Sequence, residues 1–235
     1  MRRPIFFLIL FSAAMSMFAQ QPAPEAGGRG GGRGGRGGGG RGGAFAPQPP
    51  PPLFFKEAWK NVEGNIPMTQ ESVTNANLTV NMYGSGKQDF NITAEGNVPH
   101  IWTGLCEAGC AITLSDKTNF VDLSGKARIK WYMKTSGFHE VRPVLKLADG
   151  TWLIGDHADA DTFDYRETEF FPSQVHWMKL DVAPKVLTKG TILDKVDLTK
   201  VDQIGFADLT PGSGHGSGGY ADVGWIEVYG KPVPR

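Results

Sequence analysis

The sequence predicts an all-β fold, an antiparallel β-sandwich of jelly-roll type, over residues 53–235. Three observations carry this expectation. Short runs bounded by Gly, Pro, Asp and Asn recur along the chain, and their alternation of apolar and polar residues is the period of a half-buried strand. No amphipathic run of ten or more residues with helical spacing separates them, which argues against an α/β arrangement. Val121-Asp122-Leu123-Ser124 and Val196-Asp197-Leu198-Thr199 share one template, a turn capped by its own Asp side chain that launches an alternating strand.

The strands follow in order. The pattern predicts them at Phe54 to Asn61, Leu78 to Tyr83, Ile101 to Leu105, Ala111 to Leu114, Ala127 to Thr135 and Glu140 to Leu147. Further strands are expected at Trp152 to Asp156, Arg166 to Phe170, His176 to Asp181, Gln203 to Asp208 and Asp222 to Tyr229. Ala148-Asp149-Gly150-Thr151 is a hairpin turn, because Asp-Gly adopts the tight-turn backbone readily. One long twisted sheet would leave an apolar face in water, so two packed sheets are expected.

The chain before Leu53 has a different composition. Arg2 and Arg3 precede an almost wholly apolar run from Ile5 to Phe18, the layout of a secretory signal peptide over residues 1–19. That run is shorter than the roughly 20 residues that span a bilayer. Left uncleaved, it would be the chain's one membrane anchor. Export places the protein outside the cytoplasm, as a secreted, periplasmic or cell-surface protein. Residues 20–52 form a linker: 27–43 contain only Gly and Arg, and 47–52 are Pro apart from Gln48. Such composition has no apolar surface to offset the entropy of ordering, so disorder is expected.

The chain is formally neutral, with 24 basic and 24 acidic side chains, but residues 53–235 hold 18 basic and 23 acidic ones, a net of −5. A nucleic-acid-binding domain is ordinarily basic, so nucleic acid is not an expected partner. Cys106 and Cys110 flank Glu107-Ala108-Gly109. In an exported chain they are expected to pair as a disulfide at a hairpin tip between Ile101 to Leu105 and Ala111 to Leu114. A metal site using both thiols and His100 would lack a fourth ligand.

The two Asp-Leu-Ser/Thr turns, the strand after each, and Asp222-Val223-Gly224-Trp225-Ile226-Glu227-Val228-Tyr229 at the end resemble galactose-binding-like jelly-roll domains, a group that includes many carbohydrate-binding modules. The likeness covers residues 121–147 and 197–229, and Trp225 departs from the acidic or apolar residue common in that last strand. The layout as a whole is also similar to that of a set of bacterial secreted proteins, from which no activity follows. The resemblance implies binding of a carbohydrate or glycan surface, no required cofactor, and a structural calcium ion near Asp222.

Sugars present hydroxyls around apolar C–H faces, so their sites combine aromatic rings with Arg, Asp, Asn and Gln. Alternation places Arg128, Lys130, Tyr132 and Lys134 on one face of their strand, and Arg142, Val144 and Lys146 together on the next. A single sheet face holding Arg128, Tyr132, Arg142 and Lys146 is expected to meet the ligand; an ordinary solvated face is the alternative. Trp152 and Trp177 are further stacking candidates, Trp177 facing outward because it alternates with Lys179 and Asp181. His215, in the Gly-rich stretch 211–219, is expected either to cover a ligand or to lie in a plain hairpin connection.

Asp156, Asp159, Asp161 and Asp164 place four carboxylates in nine residues. Calcium takes six to eight oxygens, so Asp156, Asp159 and Asp161 are candidate ligands, although the Gly and closing Glu of an EF-hand loop are missing. Glu167 and Glu169 lie two apart on one strand and share a face, as a glycosidase pair must. No Gly-x-Ser-x-Gly, His-Glu-x-x-His or Glu-x-Asp-x-x-Glu motif accompanies them. The expected function is non-catalytic carbohydrate binding, ahead of a glycan hydrolase and of an adhesive protein attached through its N-terminal tail.

Overall fold

A computed structural model describes residues 49–183, 185–211 and 219–235. The expected signal peptide, residues 20–48 of the linker and His215 lie outside these. Sixteen strands occur among the described residues, beginning with β1 (Leu53–Glu57), β2 (Leu78–Tyr83), β3 (Asn91–Glu95), β4 (Val98–Trp102), β5 (Cys110–Asp116), β6 (Asn119–Asp122), β7 (Arg128–Ser136) and β8 (Glu140–Leu147). They continue with β9 (Trp152–Gly155), β10 (Asp159–Ala160), β11 (Arg166–Phe170), β12 (Trp177–Asp181), β13 (Leu187–Ile192), β14 (Val201–Asp208), β15 (Tyr220–Tyr229) and β16 (Lys231–Pro234). Among the described residues the helical segments are three single 3₁₀ turns, and none is long and apolar enough to cross a membrane.

The strands form two sheets, so the expected all-β sandwich is the fold. A six-stranded sheet runs β11-β7-β15-β4-β3 with β1 beside β15. A ten-stranded sheet runs β13-β12-β9-β8-β14-β5-β2, with β6, β10 and β16 at its margins. Every pairing is antiparallel.

Between the sheets lies the main core. Strict alternation along β7 sends Ile129, Trp131 and Met133 inward, where they join Ile226 and Val228 of β15 and face Ile112, Leu114, Leu145, Ile204 and Phe206. Each such side chain contributes roughly 1.5–3 kcal/mol on burial. The two Asp-Leu-Ser/Thr turns form as expected: Ser124 N donates to Asp122 Oδ1 at 2.9 Å and Thr199 N to Asp197 Oδ1 at 3.0 Å. Leu123 N donates to Leu198 O at 2.9 Å, so the turns lie side by side, one feeding β7 and the other β14. The Asp-Gly hairpin also forms, with Gly150 N donating to Leu147 O at 3.0 Å.

The ten-stranded sheet buries apolar side chains on both faces, with Tyr83 and Trp152 packed, half-buried, against the outer set. Ala111, Val144, Ile154, Met178, Leu180, Val186 and Ala207 make a second cluster on the side away from the main core. Strands buried on both faces lose the in/out alternation. Trp177 is the casualty of that rule: it is 3% exposed, packs in the main core and donates its indole N–H to Pro172 O at 3.0 Å. It is not the outward platform expected from its neighbours.

Two further expectations are corrected. β7 belongs to the six-stranded sheet and β8 to the ten-stranded one, because residues 137–139 cross between the layers. Arg128 and Tyr132 therefore lie on one outer face of the sandwich, and Arg142 and Lys146 on the opposite one. The same topology removes the cysteine hairpin. β4 and β5 are in different sheets, so the connection between them crosses the sandwich. Cys106 and Cys110 are buried free thiols, not a disulfide. The Cys106 thiol lies 3.6 Å from Gly86 O, and burial pushes the Cys110 thiol well up.

Candidate functional site

Three of the expected ligand residues, Arg142, Lys146 and Trp152, share the outer face of the ten-stranded sheet, where Lys146 lies opposite Trp152 and Arg142 four residues away along β8. Cross-strand register sets Gln203 opposite Lys146 and Lys146 opposite Trp152, while Gly205 lies between Thr113 and Val144. Tyr83 of β2 and Trp152 of β9 meet edge to face with ring centroids 4.6 Å apart. Three strands separate β2 from β9, about 19 Å across a flat sheet. The contact therefore requires a strongly curved sheet, with this face on its concave side.

Gly205 lies so close to β5 that a Cβ there would stand 1.9 Å from Ile112 O, and Ala207 pairs with Ala111 beside it. Below the aromatic pair, Gln203 Oε1 accepts from the Tyr83 hydroxyl at 2.9 Å and from Thr113 Oγ1 at 2.6 Å. Burial raises the Tyr83 pKa, which keeps this hydroxyl a donor. With its oxygen doubly engaged, the Gln203 amide makes no described hydrogen bond through its nitrogen and remains a donor. Lys146 Nζ sits 5.8 Å from the Trp152 ring centroid and 3.5 Å from Asp202 Oδ2. Arg142 is fixed by two donations to Gly155 O at 3.1 and 2.7 Å. Half-buried rings flanked by a carboxylate, an amide and two cations can take a neutral, hydroxyl-rich ligand.

The opposite outer face is arranged differently. Tyr132 stands between Tyr165 and Trp225, nearly parallel to both, at centroid distances of 5.0 and 5.9 Å. Lys56 Nζ lies 4.8 Å from the Trp225 ring. The faces of Tyr132 are thus spent on its neighbours, whereas sugar stacking needs a free ring face. Arg128 lies over Tyr229 at 4.2 Å. Glu167 and Glu169 share this open face as expected, both within reach of Lys130 Nζ, at 2.7 and 3.6 Å.

The acidic segment does not gather its carboxylates. Asp156 pairs with His176 Nδ1 at 2.7 Å, while Asp161 is exposed. Asp159 is buried and accepts from Trp131 Nε1 at 2.7 Å, Thr168 Oγ1 at 2.9 Å and His157 Nε2 at 3.0 Å. Burial pushes its pKa up, but these donors outweigh burial and hold it below the usual value. Asp222 lies in the other sheet, and no group of three His, Cys, Asp or Glu side chains suited to a metal occurs among the described residues. Asp159→Ala should destabilise the fold by about 2–4 kcal/mol, because it strands the indole N–H and the threonine hydroxyl. Urea unfolding checks this, with Asp159→Asn as the milder control; an unchanged midpoint for the alanine variant refutes it.

Tyr83, Thr113, Asp202 and Gln203 were not among the expected site residues. A trace of them is present in the alternation of β14, where Gln203, Gly205 and Ala207 interleave with Ile204 and Phe206.

No family model matches the chain, and no curated protein matches it. Among solved structures, it is similar to the family 11 carbohydrate-binding module of the cellulosomal cellulase Lic26A-Cel5E of Clostridium thermocellum, at 15% identity and a TM-score of 0.44, covering 74% of this chain and 95% of that one. A family 11 module from Clostridium thermocellum in complex with a β-1,3-1,4-mixed-linked tetrasaccharide gives 16% identity, a TM-score of 0.44, and coverage of 77% and 98%. PfGH50B gives 10% identity and a TM-score of 0.38; the match covers 66% of this chain and spans 23% of that chain's length. Scores below 0.5 assign neither a family nor a ligand.

Proposed function

We propose that this chain is an exported, non-catalytic carbohydrate-binding β-sandwich that holds glycan on the concave face of its ten-stranded sheet. The supporting observation is the meeting of Tyr83 and Trp152 across that face, above the oriented amide of Gln203 and beside Lys146, Asp202 and Arg142. Apolar sugar faces pack on aromatic carbon while hydroxyls exchange hydrogen bonds with amide and charged groups. Both kinds of group occur together here.

Affinity electrophoresis through a panel of soluble polysaccharides tests the reading. The parent should be retarded by at least one polymer, Trp152→Ala should bind it about tenfold more weakly, a loss of ~1.4 kcal/mol, and Tyr132→Ala should bind as the parent does. Uniform absence of retardation, or equal loss in both variants, sinks the proposal.

A further inference from the structure

The paired Asp-Leu-Ser/Thr turns form one wall of a cleft at the edge of the sandwich, whose lining shares no residue with the Tyr83 and Trp152 pair. The cleft has a volume of about 670 Å³, and residues 124–125, 172–177 and 193–199 line it. That volume falls within the roughly 300–1,000 Å³ of small-ligand sites.

Its floor is apolar. Trp177 and Leu198 are almost fully buried in the main core and also line the cleft, with Val175 and Leu193 beside them. Trp177 is 3% exposed and its indole N–H is spent on Pro172 O, so the accessible part of the floor is the partly buried Val175 and Leu193. The rim is polar and unspent. The Gln174 amide, the Asp194 carboxylate and the Lys195 ammonium make no described side-chain hydrogen bond or ion pair among the described residues. His176 gives Nδ1 to Asp156 at 2.7 Å, which leaves Nε2 as an acceptor in the neutral ring.

We propose that this cleft is a second binding site, for a single neutral pyranose unit at the end of a glycan chain. An amide and an ammonium supply donors, and a carboxylate and an imidazole supply acceptors, around an apolar floor. That balance matches vicinal hydroxyls on a ring with an apolar face. Asp194 and Asp197 oppose an anion, and Lys195 opposes a cation. The class of ligand rests on the carbohydrate-binding reading, whereas the site itself is separate from the concave face.

The test follows amide and indole NMR resonances of the intact chain on addition of glucose, galactose, mannose or xylose, with sodium sulfate and magnesium chloride as charged controls. At least one sugar should shift the Trp177 indole signal and the amides of residues 172–177 and 193–199. Gln174→Ala combined with Lys195→Ala, both exposed positions, should weaken that sugar about tenfold with the remaining spectrum unchanged, and Trp152→Ala should leave the shifts intact. Silence of the cleft with every sugar, shifts produced by sulfate or magnesium alone, or shifts that persist in the double variant overturn the inference. Polysaccharide retardation of the parent is read in parallel. Silence in the cleft with retardation intact rejects this site alone, while loss of retardation with cleft shifts intact rejects only the concave-face reading.

Discussion

Gly205→Ala should not yield a stably folded domain at physiological temperature. A Cβ at this position would stand 1.9 Å from Ile112 O and 2.6 Å from Thr113 Cα. Both atoms belong to the backbone of β5, so no change of rotamer relieves the clash. β14 would have to leave β5, breaking a pairing that runs from Ile204 and Leu114 to Asp208 and Cys110 in the middle of the ten-stranded sheet. The expected cost is at least about 4 kcal/mol, in the extreme tail of single substitutions, against a total of about 5–15 kcal/mol for a typical domain. Urea unfolding of parent and variant expressed side by side measures it. A variant midpoint equal to the parent's would refute the close approach of the two strands.

Asp222→Asn should change how stability depends on pH between 5 and 8. Asp222 is 3% exposed and its Oδ1 lacks a hydrogen-bond partner. His100 Nε2 of β4 is 3.6 Å away and already meets Thr93 Oγ1 at 2.7 Å. Lys134 of β7 lies opposite in register but gives its ammonium to Glu95 of β3 at 2.7 Å. The Tyr165 hydroxyl and Tyr220 complete the titratable surroundings. Burial, aided by the Glu95 charge and opposed by Lys134 and Tyr165, lifts the Asp222 pKa to about 7.

An unfolded Asp titrates near 3.9, so the folded state holds this proton more tightly. The resulting stabilisation is complete below about pH 4 and is lost as pH rises through about 7. Roughly 3 kcal/mol of it disappears between pH 5 and pH 8. His100 works in the opposite sense, since burial lowers its pKa; its contribution is complete above the ordinary imidazole value near 6.5 and is lost as pH falls below that through the lowered one. The difference between parent and Asp222→Asn isolates the carboxyl from the imidazole. That difference, measured by urea unfolding at half-unit steps, should move against the parent by about 3 kcal/mol from pH 5 to pH 8. Parallel curves would exclude a buried proton at Asp222.

Much of the architecture is legible locally. β7 reads directly, because one of its faces is buried and the other is wet, so Ile129, Trp131 and Met133 separate from Lys130 and Tyr132 by parity alone. The Asp-Gly hairpin and the two Asp-capped turns read as well, being decided within four residues. β13 and β16 do not. The first, Leu-Thr-Lys-Gly-Thr-Ile, is mostly exposed at an edge, and the second carries two prolines that only a marginal strand tolerates. β12 is legible as a strand but not in orientation, because apolar cover on both of its faces erases the alternation that tells inside from outside.

The candidate site was half visible for the same reason. Arg142, Lys146 and Trp152 belong to one hairpin, so their shared face follows from parity and a short turn. Tyr83, 69 positions before Trp152, and Gln203, 51 after it, reach the same place only through sheet order. By itself the sequence determined eleven of the sixteen described strands, the capped turns and the all-β class, since these depend on contacts among near neighbours and on the period of apolar residues. Tertiary structure alone decided which strands share a sheet, that the cysteines sit on a crossing connection, that Trp177 turns inward and that Tyr83 meets Trp152 and Gln203. Those outcomes depend on long-range pairing and sheet curvature, whose energies are set by residues far apart in the chain and leave no periodic trace in either segment alone.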